Sequence, residues 1–260
     1  MKMKGFFAWL LVCVTALLTL SACEQIDAKA LETRAVLKLL ESPYIMKMDM
    51  RMDYSSKDDE INDLLDGNGV GSSMSMNIDG KNFKVTAGSE DMGIEYTFAD
   101  NVLYMEMMGS KIKTEMSEED VGEMLGTNPS GIGNMSINMF SSVKAGKGDG
   151  GKVTVTCKGL KGESNELIDS LTQDIGKIGD GDEAVSLDKE KLEYVAVIDN
   201  NGRYETIKIT IVMITDIEGE RLTITSVIDV SFDYDNAVAV TSPSDADEYY
   251  DIGDIGGIFE

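Results

Sequence analysis

The sequence predicts an α+β protein, a mainly antiparallel sheet with a few covering helices. Three observations carry this expectation. Long stretches alternate apolar and polar residues with a period of two, as a half-buried strand requires. Clusters of Asp, Asn, Gly and Ser separate those stretches. A few further stretches set apolar residues at helical spacing instead.

In chain order, Leu31, Ala35, Val36, Leu39 and Leu40 predict an amphipathic helix of about three turns, stopped by Ser42-Pro43. Tyr44, Met46, Met48, Met50, Met52 and Tyr54 then alternate with Lys47, Asp49, Arg51 and Asp53. Met74, Met76 and Ile78 lead through Asp79-Gly80 into Phe83, Val85 and Ala87, a hairpin pattern. Ile94, Tyr96 and Phe98 continue it, Asp100-Asn101 turns the chain, and Val102–Met108 and Lys111–Met116 follow as strands. Ser117 is placed as a helix N-cap, with Glu118, Glu119 and Asp120 in a first turn that favours acids. Gly126–Gly151 is expected to be a glycine-rich loop carrying a small apolar insert, Met135–Phe140. Val153, Val155 and Cys157 form a strand, and Glu163–Ile175 a covering helix. Leu192–Ile198, Tyr204–Ile214, Arg221–Tyr234 and Ala237–Val240 make a final meander that Pro243 closes. The acidic tail, 251–260, is expected to be mobile.

The N-terminus carries its own information. Met-Lys-Met-Lys precedes an apolar run from Phe6 to Leu20, and Leu20-Ser21-Ala22-Cys23 follows. A basic start, a short apolar run and small residues at the end are the parts of a secretory signal. The run is short for a membrane-spanning helix, which needs about 20 residues. The cysteine after the small pair resembles the lipobox of bacterial lipoproteins. That resemblance implies a diacylglyceryl group, such as one bearing palmitate, on the Cys23 sulfur, with cleavage just before it. The expected layout is a signal peptide (1–22), a lipidated cysteine and short tether (23–29), a single β-rich domain (30–250) and the tail. The expected location is the extracytoplasmic face of the cell membrane.

Composition excludes several function classes. The net charge is -24, and loss of Lys2 and Lys4 would make it about -26. Such a chain repels nucleic acid and anionic headgroups, so the lipid must do the anchoring. There is no histidine, which removes Ser–His and Cys–His pairs and the usual catalytic zinc sites. Of three cysteines, Cys13 lies in the signal and Cys23 would be lipidated, so Cys157 has no disulfide partner. The only tryptophan, Trp9, is in the signal too. No catalytic residues, metal site or cofactor are expected.

Short motifs are better explained by structure than by chemistry. Gly146–Lys152 matches G-x-x-x-x-G-K, but Val153 stands where magnesium binding needs Ser or Thr, and a strand follows instead of a helix. Ser141-Ser142-Val143-Lys144 matches S-x-x-K without its companion motifs. Asp180-Gly181-Asp182 begins like a calcium loop, yet Val185 and Lys191 replace the glycine and the bidentate glutamate. Cys157 alternates with valines, as a small buried apolar residue would.

The methionines are the most suggestive signal. Met46, Met48, Met50, Met52, Met74 and Met76 share the inferred inward strand faces with Tyr96 and Phe98. They serve either as core packing or as a deformable lining for an apolar ligand, because unbranched thioethers repack easily. Lipobox, short tether, early helix, long meander and the closing run Val238–Ala246 together resemble the LolA/LppX-like lipoprotein superfamily. The resemblance implies a strongly curved sheet, a half-barrel whose concave face is covered by helices and encloses a lipidic ligand. The expected function is thus a non-enzymatic, membrane-anchored carrier of a lipid or other hydrophobic ligand. A structural or protein-interaction lipoprotein with a filled core is the alternative, and no protein partner is specified. Cys23→Ser should abolish labelling by a fatty-acid probe and processing at this site; unchanged acylation of the mutant would remove the lipobox.

Overall fold

The computed structural model describes residues 26–56, 70–88, 93–117, 120, 137–161, 186–217 and 220–253. The signal peptide, Cys23, the Glu163–Ile175 helix and Asp180-Gly181-Asp182 lie outside the described residues. So does most of the helix expected after Ser117. Its cap does not: the Ser117 hydroxyl accepts from the Asp120 N–H at 3.2 Å, and the Asp120 carboxylate accepts from the Ser117 N–H at 3.3 Å.

The first described element is α1 (Ala28–Leu39), twelve residues long. Asp27 caps it by accepting from the N–H groups of Lys29 and Ala30 at 3.0 and 3.1 Å. Ala35 is fully buried, and Leu31, Val36 and Leu39 pack against the core. Leu40, assigned to that face by spacing, instead caps the helix and is 78% exposed.

Strands follow in two runs. β1 (Tyr44–Ser56), β2 (Val70–Asp79), β3 (Asn82–Ala87), β4 (Ile94–Ala99), β5 (Val102–Met107) and β6 (Ser110–Glu115) form an antiparallel meander. β7 (Phe140–Lys147), β8 (Val153–Leu160), β10 (Glu193–Ile198), β11 (Tyr204–Ile217) and β12 (Glu220–Asp233) form a second. The short β9 (Ser186–Leu187) pairs with β11, and β13 (Tyr250–Asp251) runs parallel to β6. β1 pairs with β12, so both runs belong to one thirteen-stranded sheet ending in β7 and β13. Left-handed turns join several strands: Asp100 and Asn101 have φ of 56° and 63°, and Met108 and Gly109 have φ of 52° and 78°. Two positive φ values match a two-residue hairpin to the strand twist.

This corrects the expected fold class. The protein is mostly β, not α+β, and the sheet is open, not a half-barrel roofed by helices. The described residues contain one α-helix. The reason is that period-two patterning occupies most of the described chain, and the described connections β2–β3, β4–β5, β5–β6, β7–β8 and β10–β11 are short turns.

Three smaller corrections follow. The expected loop Gly126–Gly151 contributes strand β7, whose small and polar residues suit a sheet edge held on one side by β8. Ala237–Val240 is not a strand; its backbone is held by side chains, with the Asn77 and Asn82 amides donating to the carbonyls of Val238 and Val240, both at 3.0 Å. The tail is docked as far as Gly253, through β13 and the Thr114 hydroxyl, which donates to the Gly253 carbonyl.

Register assigns the two faces, because directly paired residues project to the same side. One face carries Tyr44, Met46 and Met48 with Phe232 and Val230 of β12 and Met76 and Met74 of β2. α1 packs on this face. The other carries Lys47, Asp49, Arg51, Asp229 and Lys208. Over β2–β6 that second face is crossed by the C-terminal segment: Tyr249 meets Tyr104 edge-on at 5.3 Å, and Lys113 donates to the Ala246 carbonyl at 3.0 Å.

Gly159 has φ of 63°, and a Cβ there would lie 2.7 Å from the Ser141 hydroxyl. Gly159→Ala should therefore cost about 1–3 kcal/mol, measured by urea unfolding. Adding Ser141→Ala should recover only the steric part.

Candidate functional site: a methionine-rich sheet face beside a buried carboxyl

Met46 lies opposite Met76, and Met48 opposite Met74, in adjacent strands. The same rows continue into β3 through Val85 and Ala87, into β4 through Tyr96 and Ile94, and into β5 through Met105 and Met107. The fold thus brings the expected residues onto one face, in graded environments. Met46 and Met76 are 6% and 4% exposed and belong to the packed core. Met48, Met74 and Tyr96 are half-buried against it. Met50 and Met52 are half-buried farther along β1. Phe98 sits apart in a smaller cluster with Leu103 and Met116, stacked on Phe83 at 5.5 Å.

Met105 and Met107 extend the row, and the sequence reading did not include them. Their alternation with Tyr104 and Glu106 was visible, but only the β4–β5 register puts them beside Tyr96 and Ile94.

A second feature lies under α1. Glu32 is 8% exposed, and the Tyr204 hydroxyl donates to its Oε1 at 3.5 Å, long for an O–H···O bond. Its Oε2 is buried with no hydrogen-bond partner among the described residues. Burial raises the Glu32 carboxyl above its ordinary value near 4.5, and the hydroxyls of Tyr194 and Tyr204 only partly oppose this. Burial likewise pushes the Cys157 thiol up to about 12, assisted by the Glu32 charge, so this thiol is protonated and inert. Tyr194 and Tyr204 are raised too, by burial first. The sequence signal for Glu32 was its place in the apolar stripe, three residues before Ala35 and seven before Leu39.

Two of the motifs set aside on sequence fall on strands and a turn. Gly146–Lys152 spans the β7–β8 turn, and Lys152 pairs with Glu205 at 2.6 Å. Ser141 and Lys144 lie three apart on β7, and the Ser141 hydroxyl donates to the Lys158 carbonyl at 2.9 Å. Residues at that spacing on a strand face opposite ways and cannot act together. Among the described residues no helix is long and apolar enough to cross a membrane. No protein-family model matches the chain, and no curated protein matches it.

The gradient along β1 predicts distinct mutational costs. Met46→Ala should destabilise by about 2–5 kcal/mol, as for a core methionine. Met50→Ala should cost about 1 kcal/mol or less. Urea midpoints measure both.

Proposed function

We propose that this chain is a lipid-anchored protein on the extracytoplasmic face of a bacterial membrane, binding a lipid or other hydrophobic ligand on its methionine-rich sheet face. The observation that carries the reading is the row Met48, Met74, Ala87 and Ile94, continuous over four strands and only half-buried, with exposed Met107 at its end. A flexible thioether surface accommodates irregular apolar shapes. The lipobox at Cys23 supplies the membrane address, and the reading assigns no catalytic step. The likeness to the LolA/LppX-like superfamily rests on the sequence features alone.

A second reading, a structural or interaction lipoprotein with a filled core, is favoured by the burial of Met46, Met76 and Phe98. The two separate on mutation of the half-buried positions. Met48→Trp or Met50→Trp should leave the urea midpoint nearly unchanged and weaken binding of a fluorescent fatty-acid probe, if the face takes a ligand. A filled core would instead lose about 1–3 kcal/mol from overpacking, and the wild type would not bind the probe. Native mass spectrometry of the purified protein should detect co-purified lipid under the first reading only.

A further inference from the structure

Among the described residues Glu32 is the only carboxyl in the buried core. It projects from the second turn of α1 onto the sheet, where β11 presents Tyr204, β10 presents Tyr194 and β8 presents Cys157. β12 adds Phe232, stacked on Tyr204 at 5.7 Å, and β7 turns Phe140, Val143, Ala145 and the exposed Lys147 at its end to this side, Phe140 packing on Tyr194 at 6.1 Å. Beyond Tyr204 on that floor lie Tyr234, with Arg203 over its ring at 4.4 Å, and Tyr44, 6.1 Å from Tyr234. On α1 itself, Arg34 is exposed and lays its side chain across Gly202. Among the described residues one carboxyl oxygen has a distant donor in the Tyr204 hydroxyl, the Tyr194 hydroxyl assists from nearby, and the other oxygen has no partner. A neutral carboxyl tolerates this site, whereas an ionised one would leave a charge in apolar surroundings with too few donors.

We propose that Glu32 is a proton-operated latch for α1: the helix stays seated while the carboxyl is neutral and lifts from the sheet when it ionises. The other titratable groups on that floor keep their protons, since Tyr44 and Cys157 are pushed up to about 12 and Tyr194, Tyr204 and Tyr234 are raised as well. The sign follows from the raised carboxyl. Docking of α1 is strongest below the ordinary value of 4.5 and weakens as pH rises through the folded-state value. Lifting α1 would uncover the core beside Tyr194, Tyr204 and Cys157. On the lipid-anchor reading it would also lengthen the tether. Twelve residues span about 18 Å as helix and about 40 Å extended.

Amide hydrogen exchange on the full chain in detergent micelles tests the latch without reference to anchoring or ligand. Protection factors are compared at pH 5 and pH 8, with β11 and β12 as internal references. The expected result is a severalfold loss of protection in α1 at pH 8 with the two strands unchanged, and a flat α1 profile in Glu32→Gln. Equal α1 protection at both pH values, a loss shared with β11 and β12, or an unaltered pH dependence in Glu32→Gln would overturn the proposal. The wild-type comparison of α1 with the strands decides the matter if the variant does not fold. Failure of the fatty-acid probe to bind would leave this result untouched.

Discussion

The β1–β12 ladder is the constraint on which the rest of the structure depends. It runs from Ile45 opposite Asp233 to Ser56 opposite Leu222 and is the sole junction between the two meanders among the described strands. Apart from β8 and β10, which residues 161–192 separate, the other antiparallel pairs join strands nearer in sequence, so their loop-closure cost is smaller. β1 and β12 are separated by most of the chain, and their pairing must be rewarded by what it buries. That reward is visible in Met46 against Phe232 and Met48 against Val230, on the face that α1 covers. A slip of one residue would turn Lys47, Asp49 and Arg51 into the core, so the same burial that stabilises the ladder also sets its register.

The polar face is held by weaker means. Asp49 stands opposite Asp229, a like-charge pair, and Lys208 reaches Asp229 at 3.4 Å. Arg51 bonds Asp53 at 3.0 Å, and Lys84 pairs with Glu95 at 2.7 Å. These side chains are largely exposed, so each pair contributes about 0–1 kcal/mol and less in salt. The turn at Asp199 is firmer. Burial works against its charge, but the backbone and guanidinium of Arg203 and the Asn201 N–H outweigh that and hold the carboxyl below the usual range. Arg203 also lies over the Tyr234 ring at 4.4 Å, joining the turn to the aromatic series Tyr234, Tyr44, Phe232 and Tyr204. That series fixes one end of the core without a disulfide, and Cys157 serves there as a small apolar residue.

Much of the candidate face was legible in the sequence. Tyr44–Tyr54 and Met74–Ile78 alternate cleanly, and a period of two places residues i and i+2 on one side whatever their partners are. Their grading from buried Met46 to half-buried Met52 was not legible, because each position's burial depends on what crosses the sheet above it. Glu32 was hidden for a related reason. Its spacing joined it to the apolar stripe, but an acid at a stripe position is also common on a helix edge. Only the packing of α1 over Tyr194 and Tyr204 makes it a buried charge site.

By itself the sequence determined most of the strands and turns, α1 and the separation of apolar from charged faces, because each follows from spacing and backbone preference within a few residues. Tertiary structure decided the rest. It joined β1 to β12, made an open sheet where a helix-covered half-barrel was expected, and recruited Phe140–Lys147 as an edge strand that local propensity did not mark. It also laid residues 237–253 across the polar face, held by Asn77, Asn82 and Lys113, which are ordinary exposed-looking residues until a distant segment arrives. Those outcomes rest on pairing and burial between segments far apart in the chain, where local patterning carries no information.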